Sequence, residues 1–103
     1  MPMIVEYIRY ELVQHDGDQL ISAYRNASES LRASPECLEF DLTRCEEATT
    51  CFVLRICWTS TADHLQKFRK GPNFSTFFAA IQPFVGEIVE MRHYAATGVE
   101  WSR

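Results

Sequence analysis

Long hydrophobic runs and clusters of basic residues are both missing from this sequence. No window approaches the roughly 18 consecutive apolar residues of a membrane-spanning helix, and the N-terminal segment MPMIVEYIRYEL alternates polar and apolar residues, unlike a signal peptide. The 14 acidic and 10 basic residues are spread along the chain and give a net charge of −4. These absences argue against a membrane or nucleic-acid partner and predict a cytoplasmic protein.

Motifs for metal, redox and nucleotide chemistry are also missing. The four cysteines are separated by eight, six and six residues without a CxxC pair, so we predict reduced structural thiols. The histidines His15, His64 and His93 are far apart in sequence, with no HxxxH pair and no nearby acidic ligand set. No GxGxxG, GxxxxGKS/T or GxSxG motif occurs. We therefore expect neither a metal nor another cofactor.

The length and apolar content indicate one folded unit. The chain has 103 residues, of which 47% are hydrophobic and 13% aromatic, well above the composition of disordered chains. Such a chain supports one modest core. Because no linker, repeat or low-complexity segment divides it, we predict a single domain over residues 1–103.

Hydrophobic periodicity predicts the order β-α-β-β-α-β. A β-rich segment at residues 3–12 precedes a helical pattern that ends at Ser34 and Pro35, and two segments with a period of two follow at 37–45 and 51–58. Helical spacing then resumes from Ser60 to Pro83, interrupted at Gly71, before a last strand at about 87–94. This order is typical of the α+β ferredoxin-like fold, a four-stranded antiparallel sheet with helices on one face.

The two middle strands predict a hairpin with a defined register. If residues 46–50 form the loop, Leu42 lies opposite Leu54, Phe40 opposite Ile56, and Leu38 opposite Trp58 on an apolar face. The other face is mixed and places Asp41 opposite Arg55. Helices cover only one side of such a sheet, so the second side is either solvated or covered by another subunit.

The sequence resembles the antibiotic-biosynthesis monooxygenase family in three features. These are Trp58 at the end of the third strand, the helical segment STADHLQKFRKGPNFSTFF and the strand EIVEMRHY. The resemblance covers nearly the whole chain and implies a homodimeric α+β barrel with one pocket per subunit between sheet and helices. Some members are cofactor-free oxygenases of quinols and polycyclic phenols, and related members degrade haem.

Three positions depart from the pattern of that family. Ile56 replaces a glutamate two residues before the tryptophan, and Phe68 stands where a histidine often occurs about ten residues after it. Ile8 occupies the position of the asparagine that haem-degrading members use. The last difference argues against haem degradation, and the first two weaken the direct transfer of a quinol-oxidising mechanism.

Seven residues are candidates for a site. Trp58 either stacks on an aromatic substrate or is a core residue. If Val89 and Met91 point inward, His93 lies on the same side and is the candidate general base. The alternative is a structural histidine at the strand end whose ring nitrogens are already hydrogen-bonded. The remaining candidates are substrate-binding residues, each with a structural alternative: Tyr10, Glu6, His64, Phe68 and Phe74.

The alternatives for the polar candidates differ. Glu6 and Tyr10 either orient a substrate hydroxyl or pair with Arg92 or water. His64 is either exposed to solvent or lines the pocket. The leading functional hypothesis is a cofactor-independent monooxygenase of a quinol, phenol or anthrone, with itself and a small aromatic substrate as partners. The alternatives are a non-catalytic dimeric ligand-binding protein and an oxygen-independent isomerase or decarboxylase.

Overall fold

The computed structural model describes residues 3–103 and has the predicted α+β architecture. Four antiparallel strands form one sheet in the order β2-β3-β1-β4, and the helices pack on one of its faces. The elements follow the predicted order, with the second helical region divided into three pieces: β1 (Ile4–Glu11), α1 (Gly17–Arg32), β2 (Cys37–Arg44), β3 (Cys51–Trp58), a π-helix (Asp63–Phe68), α2 (Phe74–Ile81), a 3₁₀ helix (Gln82–Glu87) and β4 (Ile88–Ala95).

The first helix begins at a capping box. The Asp16 side chain accepts a hydrogen bond from the Gln19 backbone N–H at 2.8 Å, and the Gln19 side chain accepts one from the Asp16 backbone N–H at 2.9 Å. These two bonds satisfy amides that the first turn of a helix leaves without partners. The apolar stripe of α1 then packs on the sheet through its buried residues, among them Leu20, Tyr24 and Leu31.

The hairpin register is confirmed over most of its length and wrong at one end. Leu42 pairs with Leu54, Phe40 with Ile56, and Asp41 with Arg55. Near the start of β2 an irregularity between Cys37 and Glu39 shifts the pairing, so that Cys37 lies opposite Trp58 and Leu38 is 54% exposed. A bulge of this kind adds one residue to one strand and changes which side chain reaches the core.

A second irregularity corrects the prediction for β4. Tyr10 pairs with Ile88 whereas the adjacent Arg9 pairs with Glu90, so Val89 is the extra residue and is half exposed instead of inward-facing. Beyond the bulge, Met91 pairs with Ile8, and His93 pairs with Glu6. Met91 and His93 therefore point inward, as predicted. Strict alternation from the inward-facing Ile88 would have turned both residues outward, but the extra residue Val89 shifts the alternation by one position.

Helical structure extends past Pro83, where the sequence pattern predicts its end. The 3₁₀ helix runs to Glu87, and proline lies at its start, where a missing N–H costs little. Glu87 is buried, and its Oε1 accepts hydrogen bonds from the backbone N–H groups of Val13 at 2.7 Å, Gln14 at 2.8 Å and His15 at 3.3 Å. Its Oε2 lies 2.6 Å from His15 Nδ1. One carboxylate thus ties the β1–α1 loop to the start of β4.

Within residues 3–103, no helix is both long and apolar enough to cross a bilayer.

The sheet face away from the helices carries the predicted mixture of polar and apolar groups. Arg55 bridges Glu39 at 2.9 Å and Asp41 at 3.1 Å there, and Tyr7 and Tyr94 make an edge-to-face contact. This face remains available for the second subunit that the sequence predicts.

Candidate active site

A cavity of about 210 Å³ lies between the sheet and the helices. Six of the seven predicted site residues line it, and they come from β1, β3, the π-helix and α2: Glu6, Tyr10, Trp58, His64, Phe68 and Phe74. The seventh, His93, reaches the site from β4 through a contact with His64. The structure therefore brings the seven residues together around one cavity, and their roles stay predictions.

Glu6 and Trp58 form a buried polar pair in the cavity wall. The indole Nε1–H donates a hydrogen bond to Glu6 Oε1 at 3.0 Å, and both side chains are almost fully buried. Burial raises the pKa of Glu6, an effect that the Trp58 hydrogen bond and the positive charge of Arg69 partly oppose. The predicted alternative of pairing with Arg92 is wrong, because Arg92 pairs with Tyr7 across the strands and so lies on the sheet face opposite to Glu6.

His64 is buried, which rules out the alternative of solvent exposure. The Ser60 hydroxyl accepts a hydrogen bond from the Asp63 backbone N–H at 2.9 Å and starts the helix. The next turn is wide, since Arg69 N–H donates to the His64 carbonyl five residues earlier at 3.1 Å. The imidazole stacks on Trp58, with ring centroids 4.3 Å apart and an interplanar angle of 11°.

His93 completes a cluster that we name the polar triad: Glu6, His64 and His93. His93 Nε2 lies 2.8 Å from His64 Nδ1 and 4.0 Å from Glu6 Oε2, and His64 Nε2 lies 3.6 Å from Glu6 Oε1. The sequence-based expectation that no acidic group accompanies the histidines is wrong here. One ligand atom from each residue lies within 4.8 Å of the other two, a grouping that is able to hold a metal ion.

The histidines of the triad favour their neutral forms. Burial lowers the pKa of His64 to about 4, with further lowering from His93 and Arg69. Burial also lowers the pKa of His93, again with a contribution from Arg69. A neutral imidazole carries one N–H and one lone pair. Hence at neutral pH each ring has a nitrogen that accepts a proton and another that donates one.

Tyr10 lines the cavity with its ring, while its hydroxyl is engaged elsewhere. Its Oη lies 2.5 Å from Tyr24 Oη, in a buried hydrogen bond. Burial raises the pKa of Tyr10 to about 12. Both phenols therefore stay protonated at neutral pH and satisfy each other. The proposed contact between this hydroxyl and a substrate stays a prediction that requires the tyrosine pair to open.

Phe68 and Phe74 form an aromatic wall without filling the cavity. Their rings meet edge to face, with centroids 5.7 Å apart and an interplanar angle of 89°. Phe68 also packs against Trp58 at 4.9 Å and against Phe77 at 5.5 Å. Edge-to-face contacts hold each ring in one orientation, so the wall presents a fixed apolar surface.

Arg69, which the sequence pattern does not reveal, is an exposed residue whose side chain borders the cavity and carries a positive charge that acts on Glu6. Spacing along a regular α-helix places Arg69 on a different face from His64, whereas the wide π-turn brings it to the site. The sequence pattern predicts a buried stripe of Ala62, Leu65 and Phe68 on this helix. That prediction is wrong in part, because Ala62 is exposed while His64 is buried. The four-residue spacing between His64 and Phe68 is the signal that would have revealed the shared face.

Comparisons with known proteins agree with this architecture. The family model of antibiotic biosynthesis monooxygenases matches residues 3–80, whereas a search of curated proteins found no match. Among solved structures, a candidate antibiotic biosynthesis monooxygenase of Chloroflexus aurantiacus has a TM-score of 0.74 at 15% identity, covering 96% of this chain and 97% of that one.

Two further structures of low sequence identity share the fold. SnoaB of Streptomyces nogalater, a cofactor-independent oxygenase, gives a TM-score of 0.72 at 15% identity, covering 98% of this chain and 97% of that one. A candidate antibiotic biosynthesis monooxygenase of Bordetella bronchiseptica gives 0.70 at 20% identity, covering 97% and 100%. Because the family model spans most of the chain, this protein belongs to the antibiotic biosynthesis monooxygenase family.

Proposed function

We propose that this protein is a cofactor-independent monooxygenase that oxidises a small electron-rich aromatic compound, such as a quinol, phenol or anthrone, with dioxygen. The observation that carries the proposal is the position of the polar triad beside an apolar cavity walled by Trp58, Phe68 and Phe74. The family match supports this reaction class, and the cofactor-independent chemistry of SnoaB is extended here to this chain as part of the proposal.

The size of the cavity favours a compact substrate. Its volume of about 210 Å³ is below the roughly 300–1,000 Å³ of common ligand pockets and above the roughly 150 Å³ that encloses benzene. One or two fused rings fit this volume. The partly exposed lining residues Phe78, Val85 and Met91 mark its opening, through which a third ring would protrude. A dihydroxynaphthalene therefore fits better than an anthrone.

His93 is the proposed base. Its pKa is lowered, so the ring is neutral and able to take a proton at neutral pH. The contact of 2.8 Å with His64 Nδ1 offers a relay: as His93 takes the substrate proton on Nδ1, it passes its Nε2 proton to His64 Nδ1. Glu6, as the acceptor of the Trp58 indole N–H, holds the tryptophan ring in place for stacking on the substrate.

The reaction then needs no electrons beyond those of the substrate. Deprotonation gives an electron-rich anion, which passes one electron to dioxygen to form superoxide and an organic radical. The two combine through a new C–O bond to a peroxide, which takes up a proton. Where that carbon carries a hydrogen, loss of water leaves a carbonyl, so one oxygen atom enters the product and the other leaves as water. Arg69 is placed to stabilise the anionic species.

Dioxygen uptake by metal-free protein tests the proposal. The substrates are a panel of dihydroxynaphthalenes and anthrones, and wild type is compared with His93→Ala and Trp58→Phe. We expect uptake with the two-ring members, a loss of roughly 100-fold or more in kcat for His93→Ala, and a smaller loss for Trp58→Phe. The matched control His15→Ala removes the histidine outside the cavity and should retain activity.

The other outcomes assign the competing functions. Well-folded protein that binds the aromatic panel but consumes no dioxygen would refute the oxygenase and favour a ligand-binding protein, a reading that the apolar Ile56 in the cavity wall supports. Conversion of a substrate under strictly anaerobic conditions would instead identify an isomerase or decarboxylase. The first result would remove the catalytic role of His93, whereas the second would leave His93 as the candidate base of a different reaction.

A further inference from the structure

We propose that the polar triad is a binding site for one divalent transition-metal ion per chain, with Zn²⁺ as its best probe. This inference goes beyond the oxygenase proposal and does not rest on it, because it concerns only which ions the folded protein binds. The ligands would be two imidazole nitrogens from His64 and His93 and one carboxylate oxygen from Glu6. Two histidines and one carboxylate are a recurrent ligand set for Zn²⁺ and for Fe²⁺.

The donor atoms are close to the spacing that an ion requires. Bonds of about 2.0–2.2 Å place neighbouring ligand atoms roughly 3 Å apart around one ion. His64 Nδ1 and His93 Nε2 are already 2.8 Å apart, and Glu6 Oε2 is 4.0 Å from His93 Nε2. A movement of the carboxylate oxygen by about 1 Å and a slight separation of the two rings would give all three atoms the spacing of metal ligands. The ion would take the place of the proton that the two nitrogens share.

The surroundings hold two of the three ligands in position. Trp58 stacks on His64 and fixes the plane of its ring, and the indole N–H binds Glu6 Oε1, which leaves Oε2 free to coordinate. Hydrogen bonds from such neighbouring groups orient metal ligands and strengthen binding. Three protein ligands leave at least one coordination position open, and two of these ligands, Glu6 and His64, line the cavity.

The ligand chemistry limits which ions bind. Imidazole nitrogens suit Zn²⁺, Co²⁺, Ni²⁺ and Fe²⁺, whereas Mg²⁺ and Ca²⁺ need oxygen ligands, which this triad does not supply in sufficient number. Arg69 opposes any cation because its positive charge acts on Glu6 and on both histidines. Its side chain is exposed and able to turn into solvent. We therefore expect Arg69→Gln to tighten binding.

Occupation of the site would also affect the proposed oxygenase. The ion takes the lone pair of His93 that deprotonation of the substrate requires. Zn²⁺ has no redox chemistry of its own. We thus expect Zn²⁺ to inhibit dioxygen uptake in proportion to site occupancy, and a chelator to reverse the inhibition.

Calorimetric titration of the chelator-treated full-length protein with Zn²⁺ tests the site directly. Wild type should bind one ion per chain, and His93→Asn and Glu6→Gln should bind at least about 10-fold more weakly. His15→Asn is the matched histidine control, and Cys45→Ser tests the thiol that faces Cys51 across the hairpin; both should match wild type. Equal affinity in the triad variants, or weaker binding only in the controls, would overturn the proposal.

A second measurement uses wild type alone, since Glu6→Gln alters a buried side chain and is at risk of misfolding. Zn²⁺ should shift the NMR ring signals of His64 and His93 and leave those of His15 unchanged, and Mg²⁺ should shift none of them. Shifts confined to His15 would refute the site. If Zn²⁺ binds without inhibiting dioxygen uptake, the predicted effect of the ion on His93 is refuted and the metal site itself stands. If metal-free protein takes up no dioxygen, the oxygenase proposal is refuted and the metal site is tested by binding alone.

Discussion

The carboxylate of Glu87 offers a sharp test of how this fold is held together. The change is Glu87→Gln, which keeps the shape of the side chain and removes its charge. In the wild type, Glu87 accepts three backbone N–H groups from residues 13–15 and contacts His15 Nδ1. Although burial acts to raise it, these hydrogen bonds lower the pKa of Glu87 to about 2.

The size of the effect follows from that pKa. A carboxyl with an ordinary pKa of 4.5 in the unfolded chain and about 2 in the folded protein adds about 3 kcal/mol to the free energy of unfolding at pH 7. Glutamine retains one acceptor oxygen for the backbone amides, so we expect a net loss of about 2 kcal/mol. For a domain of this size, that loss lowers Tm by about 8–16 °C.

The pH dependence has a definite sign. Because the folded-state pKa is lowered, the stabilisation is complete above about pH 5 and disappears as pH falls toward 2. The difference in Tm between wild type and Glu87→Gln should therefore be smaller at pH 4 than at pH 7, where the carboxyl is ionised in both the folded and the unfolded chain. Less than about half of the free-energy difference should remain at pH 3.

Thermal and urea unfolding followed by circular dichroism measure this effect, with protein concentration held constant because an oligomer would make Tm depend on it. The matched control is Glu29→Gln on the exposed side of α1, which should change stability by less than about 0.5 kcal/mol. A Glu87→Gln protein as stable as the control at pH 7 would refute the reasoning. So would a stability difference that does not shrink at low pH.

Three further predictions concern other parts of the chain. A Cβ at Gly71 would lie 2.4 Å from the Lys67 carbonyl oxygen, whereas one at Gly86 meets no atom within 4 Å. In urea unfolding, Gly71→Ala should therefore lower the free energy of unfolding by about 1–3 kcal/mol and Gly86→Ala by less than about 0.5 kcal/mol. Equal effects of the two substitutions would contradict this. Burial raises the pKa of Cys37 to about 11, so about one Cys37 thiol in a thousand is ionised at pH 8. Its alkylation by iodoacetamide should therefore be far slower than that of free cysteine. A rate equal to that of free cysteine would be inconsistent with this burial. Light scattering should give about twice the chain mass of 11.9 kDa, and truncation after Gly98 should shift the protein toward monomer if the C-terminal tail reaches across the dimer; an unchanged mass would exclude that role.

The strands and most of the hairpin register were predictable because they follow from local rules. A period of two identifies the buried face of each strand, and a five-residue loop fixes which residues of the hairpin pair. Leu38 and Val89 were misplaced because a bulge inserts one residue without changing the polar and apolar pattern around it. Where a bulge forms is decided by tertiary packing, which the pattern does not record.

The walls of the cavity were predictable, but the polar triad was not. Apolar wall residues such as Phe68 and Phe74 sit on faces that periodicity reveals, whereas Arg69 does not. The meeting of His64 with His93 depends on a wide helical turn and on the pairing of β4 with β1, and these contacts join residues 29 positions apart in sequence. Sequence separation hides such clusters, and so the histidines looked unrelated.

The direct pairing of Glu6 with Ile56 has a consequence for how relatives of this protein are compared. Ile56 stands where common family sequences carry a glutamate, and an alignment records a lost carboxylate. Glu6 supplies one from the neighbouring strand, at the same level of the sheet and bonded to the same tryptophan. In this chain the carboxylate beside the tryptophan thus comes from β1, and exchanging the pair by Glu6→Ile with Ile56→Glu would test whether activity needs the carboxylate on one particular strand or only near Trp58.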